Sequence, residues 1–232
     1  MDSTPGPAEG PPPRAAAAPP ALVAEDALRA AARYGGDPWI PENPYFAAAE
    51  PAMDALWDSL VQPFLRGSDF ACVLDLATGH GRNAARLLPL AKRLILVDIQ
   101  PGNIEACRRR FGDDPRIRYL VNSGYDLRDV PAGEVTLLYC FDAMVHFDSD
   151  VVRAYLREAR RVLAPGGRAF LHHSNYQEGH DWRQAPHSRA FMSKRLMEHY
   201  ALKEGLQVLR QRVIDWGGVP RLDCLSLLAR PG

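Results

Sequence analysis

No apolar run in the 232 residues approaches the roughly 20 that a membrane-spanning helix requires. The first residues lack the charged start and apolar stretch of a secretory leader, so none is expected. Cysteine is scarce: Cys72, Cys107, Cys140 and Cys224 are the only four. They form no C-x-x-C pair, and three lie in or beside apolar strand-like runs. They read as buried free thiols of a reducing compartment rather than a disulfide framework, and a cytoplasmic location is the expectation. Net charge is absent too. Lys+Arg 28 balances Asp+Glu 28, which removes the electrostatic reason to expect nucleic acid as a partner. The histidines show no H-x-x-x-H or H-E-x-x-H spacing, so no metal site is expected.

What is present is enough apolar material for a sizeable core, 47% of residues. Residues 1–20 are Pro, Ala and Gly with few large apolar side chains, and they predict a disordered tail. Residues 21–66 predict a helical segment. It is interrupted by "DPWIPENPYF" (37–46), an irregular, aromatic stretch that reads either as a loop laid over the domain or as a lid. A helix is expected from about Ala47 to Arg66, with Met53, Leu56, Trp57, Leu60, Val61 and Leu65 on one face. Residues 67–232 form the main domain. Strand-like runs at 71–76, 94–98, 117–121, 134–140 and 168–173 alternate with helical patterns at 82–91, 102–111 and 149–163. That alternation predicts an α/β fold, a parallel sheet with helices on both faces. After a helix near 188–204, two strand-like runs around "GGVP" predict a terminal antiparallel hairpin.

"VLDLATGHGRNAARLL" (73–88) reads as strand, glycine turn and helix start. Such a turn lets backbone approach a ligand and leaves the first helical amides free to bind polar groups. Gly79-His80-Gly81-Arg82-Asn83-Ala84 fits the dinucleotide pattern G-x-G-x-x-G/A, which alone is a weak signal. Asp75, at the end of the first strand, would repel a pyrophosphate. It suits a ligand with an amino acid tail and a sulfonium centre. Asp98, at the end of "LILVD", can accept both hydroxyls of a ribose, whichever nucleoside carries it. A nicotinamide-dependent oxidoreductase therefore fits the residues less well, and a non-catalytic binding protein on the same fold is a further alternative.

Four stretches resemble class I S-adenosylmethionine-dependent methyltransferases: "VLDLATGHG", "LILVDIQ", "VTLLYCFDAMVHF" and "ARRVLAPGGRAFL". The resemblance covers roughly 71–173, and the hairpin fits that family's last two strands. It implies a Rossmann-like seven-stranded sheet with the last strand antiparallel, and S-adenosyl-L-methionine as cofactor. Carried onto this sequence, it places the cofactor against Asp75, Ala77, Thr78, Gly79, Gly81 and Asn83, against Asp98 and Ile99, against Asn122, Ser123 and Gly124, and against Phe141. Two positions depart from the family pattern. Ala77 stands where the first glycine of D-x-G-x-G-x-G would be. Ser123 stands where an acid would meet the adenine amine, leaving Asn122, Ser123 or Asp126 for that contact.

Methyl transfer needs alignment, exclusion of water and, for some acceptors, removal of a proton. Asp142 and His146, after the fourth strand, are candidates for orienting the acceptor or taking its proton. So are His172 and His173 at the exit of the fifth, which by alternation point to opposite faces. The long polar stretch 175–193 is a candidate acceptor wall, with Arg183 and Arg189 able to meet an anion. The chain lacks an N-P-P-Y type signature, which that family uses on nucleobases and glutamine. The expected partner is a small-molecule acceptor, methylated on oxygen or nitrogen, with no nucleic acid and no membrane; a homodimer is left open.

Overall fold

The computed structural model describes residues 25–178 and 189–232. The tail expected at 1–20, and His180, Arg183 and His187, lie outside the described residues. Helix α1 (Glu25–Gly36) and the short α2 (Tyr45–Ala49) lead into a helical stretch ending in α3 (Met53–Leu56) and α4 (Gln62–Leu65). The main domain then runs β1 (Val73–Leu76), α5 (Ala84–Leu87), β2 (Leu94–Asp98), α6 (Pro101–Phe111), β3 (Ile117–Val121), β4 (Val135–Cys140), α7 (Ser149–Val162), β5 (Leu163–Ser174), α8 (Lys194–Lys203), β6 (Gln207–Trp216) and β7 (Val219–Ala229). The seven strands form one sheet in the order β3-β2-β1-β4-β5-β7-β6. β7 is antiparallel to both β5 and β6, as the hairpin reading anticipates.

Alternation along the central strands builds two cores. Leu74, Leu76, Ile95, Val97, Leu138 and Leu171 pack on one face with Tyr155 of α7 and Met197 of α8. Val73, Leu94, Leu96, Leu137, Tyr139 and Phe170 pack on the other with Trp57, Phe64 and Leu87. β1, β2 and most of β4 are buried on both faces, which explains their nearly unbroken apolar runs. α7 starts at Asp148, whose carboxylate accepts from the Asp150 amide, and buries Val151, Val152, Tyr155, Leu156, Ala159 and Val162. Their i, i+4 and i+3 spacing gives one apolar stripe.

The helix expected near 188–204 begins only at Lys194, where the Ser193 hydroxyl caps it by accepting from the Leu196 amide, and two others depart from expectation at a proline. The single helix expected over 47–66 is a relay of short segments, with a wide turn at Trp57–Val61 in which the Gln62 amide reaches the Trp57 carbonyl. Pro63 has no amide hydrogen and its ring crowds the carbonyl four residues earlier, so the preceding turn widens. The helix expected over 82–91 shortens to Ala84–Leu87, ahead of Pro89. The strand order reverses between β1 and β4. An open α/β sheet leaves a crevice at that point, beyond the carboxyl ends of the strands.

Candidate active site

The turn after β1 is left-handed at Ala77 (φ 57°), Gly79 (φ 55°) and Gly81 (φ 78°). A side chain at Gly79 would start 2.6 Å from the Phe46 ring, and one at Gly81 would start 2.5 Å from Phe111. Both glycines are thus required by space as well as by conformation. Ala77 has no such excuse, since an L-residue in this region costs about 1–2 kcal/mol. Ala77→Gly is expected to raise stability by about 0.5–1 kcal/mol, after glycine's added unfolded-state freedom is subtracted. Urea unfolding checks this, and a loss of stability would contradict it.

Asp98 ends β2 facing the turn. Its Oδ2 accepts from the Gly79 amide at 2.9 Å, and its Oδ1 from the Gln100 amide at 2.8 Å and Asn103 Nδ2 at 3.2 Å. No salt bridge reaches it among the described residues, and burial first of all pushes its carboxyl above the usual range. Asp75 lies deeper. Its Oδ2 accepts from the Thr78 hydroxyl at 2.8 Å, its Oδ1 has no partner among the described residues, and burial raises its carboxyl to about 7.

A cleft enclosing about 930 Å³ of space continuous with solvent opens above the turn, within the size range of small-molecule sites. Of the residues expected at a cofactor, Ala77, Thr78, Gly79, Asn83, Asp98, Ile99, Asn122, Gly124 and Phe141 line it. Asp75, Gly81 and Ser123 do not border it. The Ser123 hydroxyl accepts from the Tyr125 and Asp126 amides instead, and Asp126 is paired with Arg128. Asn122 is therefore the one of the three adenine candidates that borders the cleft.

The aromatic stretch 37–46 lies over the cleft. Trp39, Tyr45 and Phe46 line it. Phe46 stacks on His80 at 4.0 Å, and the Trp39 carbonyl accepts from Asn103. Below it, Arg82 ties three parts of the chain together. Its guanidinium donates to the Ala49 carbonyl at 2.9 Å, to the Tyr45 hydroxyl at 3.1 Å and to Asp142 Oδ2 at 2.9 Å. The Tyr45 hydroxyl also donates to Asp142 Oδ2. Burial, then the Asp142 charge, holds that phenol protonated well beyond its ordinary range. Asp142 itself is left-handed (φ 60°).

A second, more open space of about 720 Å³ shares Trp39, Tyr45, Arg82 and Asp142 with the first, and adds Leu56, His146, Arg189 and Trp216. His146 packs against Trp39 with ring centroids 4.9 Å apart. Of the four proton-handling candidates, Asp142 borders both spaces and His146 the second.

His172 and His173 border neither, and both are fully buried. His173 Nδ1 lies 2.8 Å from the Ser174 carbonyl and its Nε2 2.7 Å from the Ser226 hydroxyl. The carbonyl can only accept, so the proton sits on Nδ1 and the serine donates to Nε2. Burial lowers this imidazole to about 4. The unfolded chain therefore binds a proton more readily below about 6.5. Stability from this residue is complete above that value and falls as pH drops toward 4. The wild type should lose about 2 kcal/mol more between about pH 7 and about pH 5 than His173→Gln loses. Urea titrations at both values measure this, and equal slopes would refute it.

Sequence reasoning missed Arg82, and it did not foresee that Trp39, Tyr45 and Trp216 would share one space. Arg82 occupies a variable position of the glycine motif, where pattern matching assigns no role.

Residues 73–167 match the family model described as a methyltransferase domain. Over that stretch the chain carries a class I methyltransferase domain. That domain contains the turn, Asp98 and the whole loop from Phe141 to His146. The sequence is 29% identical over 114 residues to the methyltransferase nsrG of Aspergillus novofumigatus, covering 47% of this chain and 44% of that one. It is 33% identical over 101 residues to a demethylmenaquinone methyltransferase of Clavibacter sepedonicus, covering 43% and 39%. The matched stretch thus spans less than half of either relative. The methyltransferase fold is also that of a solved S-adenosylmethionine-dependent enzyme from Mesorhizobium loti, with TM-score 0.63, 15% identity, and coverage of 77% of this chain and 100% of that one. The family uses S-adenosylmethionine. No helix among the described residues is long and apolar enough to cross a membrane.

Proposed function

We propose that this protein transfers a methyl group from S-adenosylmethionine to an oxygen or nitrogen of a small molecule with a flat, unsaturated face. The reading rests above all on two adjoining spaces that meet at Asp142, one floored by the glycine turn and Asp98, the other walled by aromatic rings. The donor set suits the cofactor. Asp98 borders the cleft as a buried carboxylate without a cationic partner among the described residues, which a pair of ribose hydroxyls would satisfy. Asn122 and Gly124 border the nucleoside end, and Thr78, Gly79 and Asn83 the turn end.

The cofactor supplies an electrophilic methyl on a sulfonium. The chain's own groups hold, orient and dry the reaction space. Trp39, Tyr45 and Phe46 cover the cleft and exclude water. Trp39, Tyr45 and Trp216 offer faces on which a ring can lie. Asp142 receives the acceptor's O–H or N–H and aims its lone pair. His146 stands in the same space as the side chain placed to accept a proton from the acceptor. Tyr45 keeps its own proton and stays a donor to Asp142.

Calorimetric titration with S-adenosylmethionine, S-adenosylhomocysteine and NADH tests the proposal. Binding of the first two and not the third is expected. NADH binding alone would replace the proposal with the oxidoreductase reading, and tight cofactor binding without turnover across a panel of phenols and aromatic amines would favour a non-catalytic role.

A further inference from the structure

His172 has no access to either space, yet it touches the residue that joins them. Its Nδ1 lies 3.2 Å from the Asp142 amide nitrogen. An amide N–H can only donate, so Nδ1 must be the unprotonated nitrogen. The ring proton then sits on Nε2 and is given to Asp223 Oδ2 at 3.1 Å. Asp223 is fully buried. It is clamped from the far side by Arg189, whose Nε and Nη2 reach its two oxygens at 2.9 and 2.7 Å. Arg189 in turn borders the second space.

We propose that Arg189, Asp223 and His172 are a positioning relay for Asp142. The relay fixes the tautomer of His172, and His172 then holds the Asp142 amide. Asp142 needs such a hold because a non-glycine residue at φ 60° is not held by its own conformational preference. Without the bond, the residue relaxes toward an ordinary conformation and its carboxylate leaves Arg82 and Tyr45. Packing reinforces the ring's position: His172 sits 4.8 Å from Phe141 and 4.6 Å from Trp216, centroid to centroid. Asp223 carries one charge and Arg189 the opposite one, so the buried carboxylate is compensated without protonating His172. The relay makes Asp142 responsive to Arg189, so an acceptor that engages the arginine would be felt at the junction. This inference rests on the methyltransferase reading only for what Asp142 does, not for how it is held.

Asn and Gln at position 172 separate the two ends of the ring. Asn places an oxygen near the Nδ1 position and keeps an acceptor for the Asp142 amide. Gln places its amide near the Nε2 position, keeps the contact to Asp223 and leaves the Asp142 amide without a partner. In His172→Gln the Asp142 amide should exchange with solvent about tenfold faster, the loss of one buried hydrogen bond. S-adenosylhomocysteine should also bind about fivefold more weakly, because Asp142 borders its cleft. His172→Asn should stay within about twofold of wild type on both measures. Equal behaviour of the two variants would overturn the relay and leave His172 a packing residue.

If either variant fails to fold, nitrogen NMR of the wild-type ring decides directly. A proton on Nε2 supports the relay and one on Nδ1 refutes it. Should wild type not bind S-adenosylhomocysteine at all, the functional reading fails while amide exchange still tests the relay.

Discussion

Arg82→Met lowers the stability of the domain by about 3–5 kcal/mol, the usual cost of leaving a buried charge without its partner. Both side chains of the pair are nearly enclosed, Arg82 at 10% and Asp142 at 8% exposure. Removing the guanidinium strips Asp142 of its cation and the Ala49 carbonyl of its donor. Tyr45 remains as a donor, but a phenol does not neutralise a carboxylate. Restoring neutrality should recover much of the loss, so Arg82→Met combined with Asp142→Asn is expected to be more stable than Arg82→Met alone. Urea unfolding of wild type, both single variants and the double variant gives the coupling energy. Additive losses would mean that Arg82 and Asp142 do not act as one unit. Because Arg82 also pins the stretch 37–50 through Ala49 and Tyr45, the single variant should expose that stretch to hydrogen exchange before the rest of the fold.

Asp98→Ala weakens S-adenosylhomocysteine binding by at least about a hundredfold. Two hydrogen bonds from ribose hydroxyls to a carboxylate are each worth about 1.5–3 kcal/mol, and about 1.4 kcal/mol is a factor of ten. The loss has two sources. One is the direct contact. The other is the turn itself, since Asp98 also holds the Gly79 amide. Asp98→Asn separates them: it keeps an oxygen for one donor and should lose affinity by less than Ala does. Calorimetry on the three proteins measures the series. Unchanged affinity in Asp98→Ala would place the ribose elsewhere in the cleft.

The helical relay over 47–66 shows why sequence patterns misjudge length. The apolar spacing of Met53, Trp57, Val61 and Leu65 is correct, and all four are buried. The pattern reports which face is buried, whereas continuity depends on whether each amide finds its carbonyl. Pro51 and Pro63 break that ladder without moving the apolar face.

The sequence by itself determined the sheet, the glycine turn and the place of Asp98. Those features rest on neighbours: period-two burial within a strand, and φ preferences within a turn. It also placed His172 and His173 on opposite faces, but could not tell which of them would reach the Asp142 loop or whether either would see a cleft. Only the tertiary structure decided that, through β7, which delivers Asp223 to one ring and Ser226 to the other across 51 and 53 residues. The same holds for Arg82, which meets Asp142 from 60 residues away and Tyr45 from 37. A buried polar group takes its role from the partner that satisfies it, and here the partners come from distant parts of the chain that only the fold brings together.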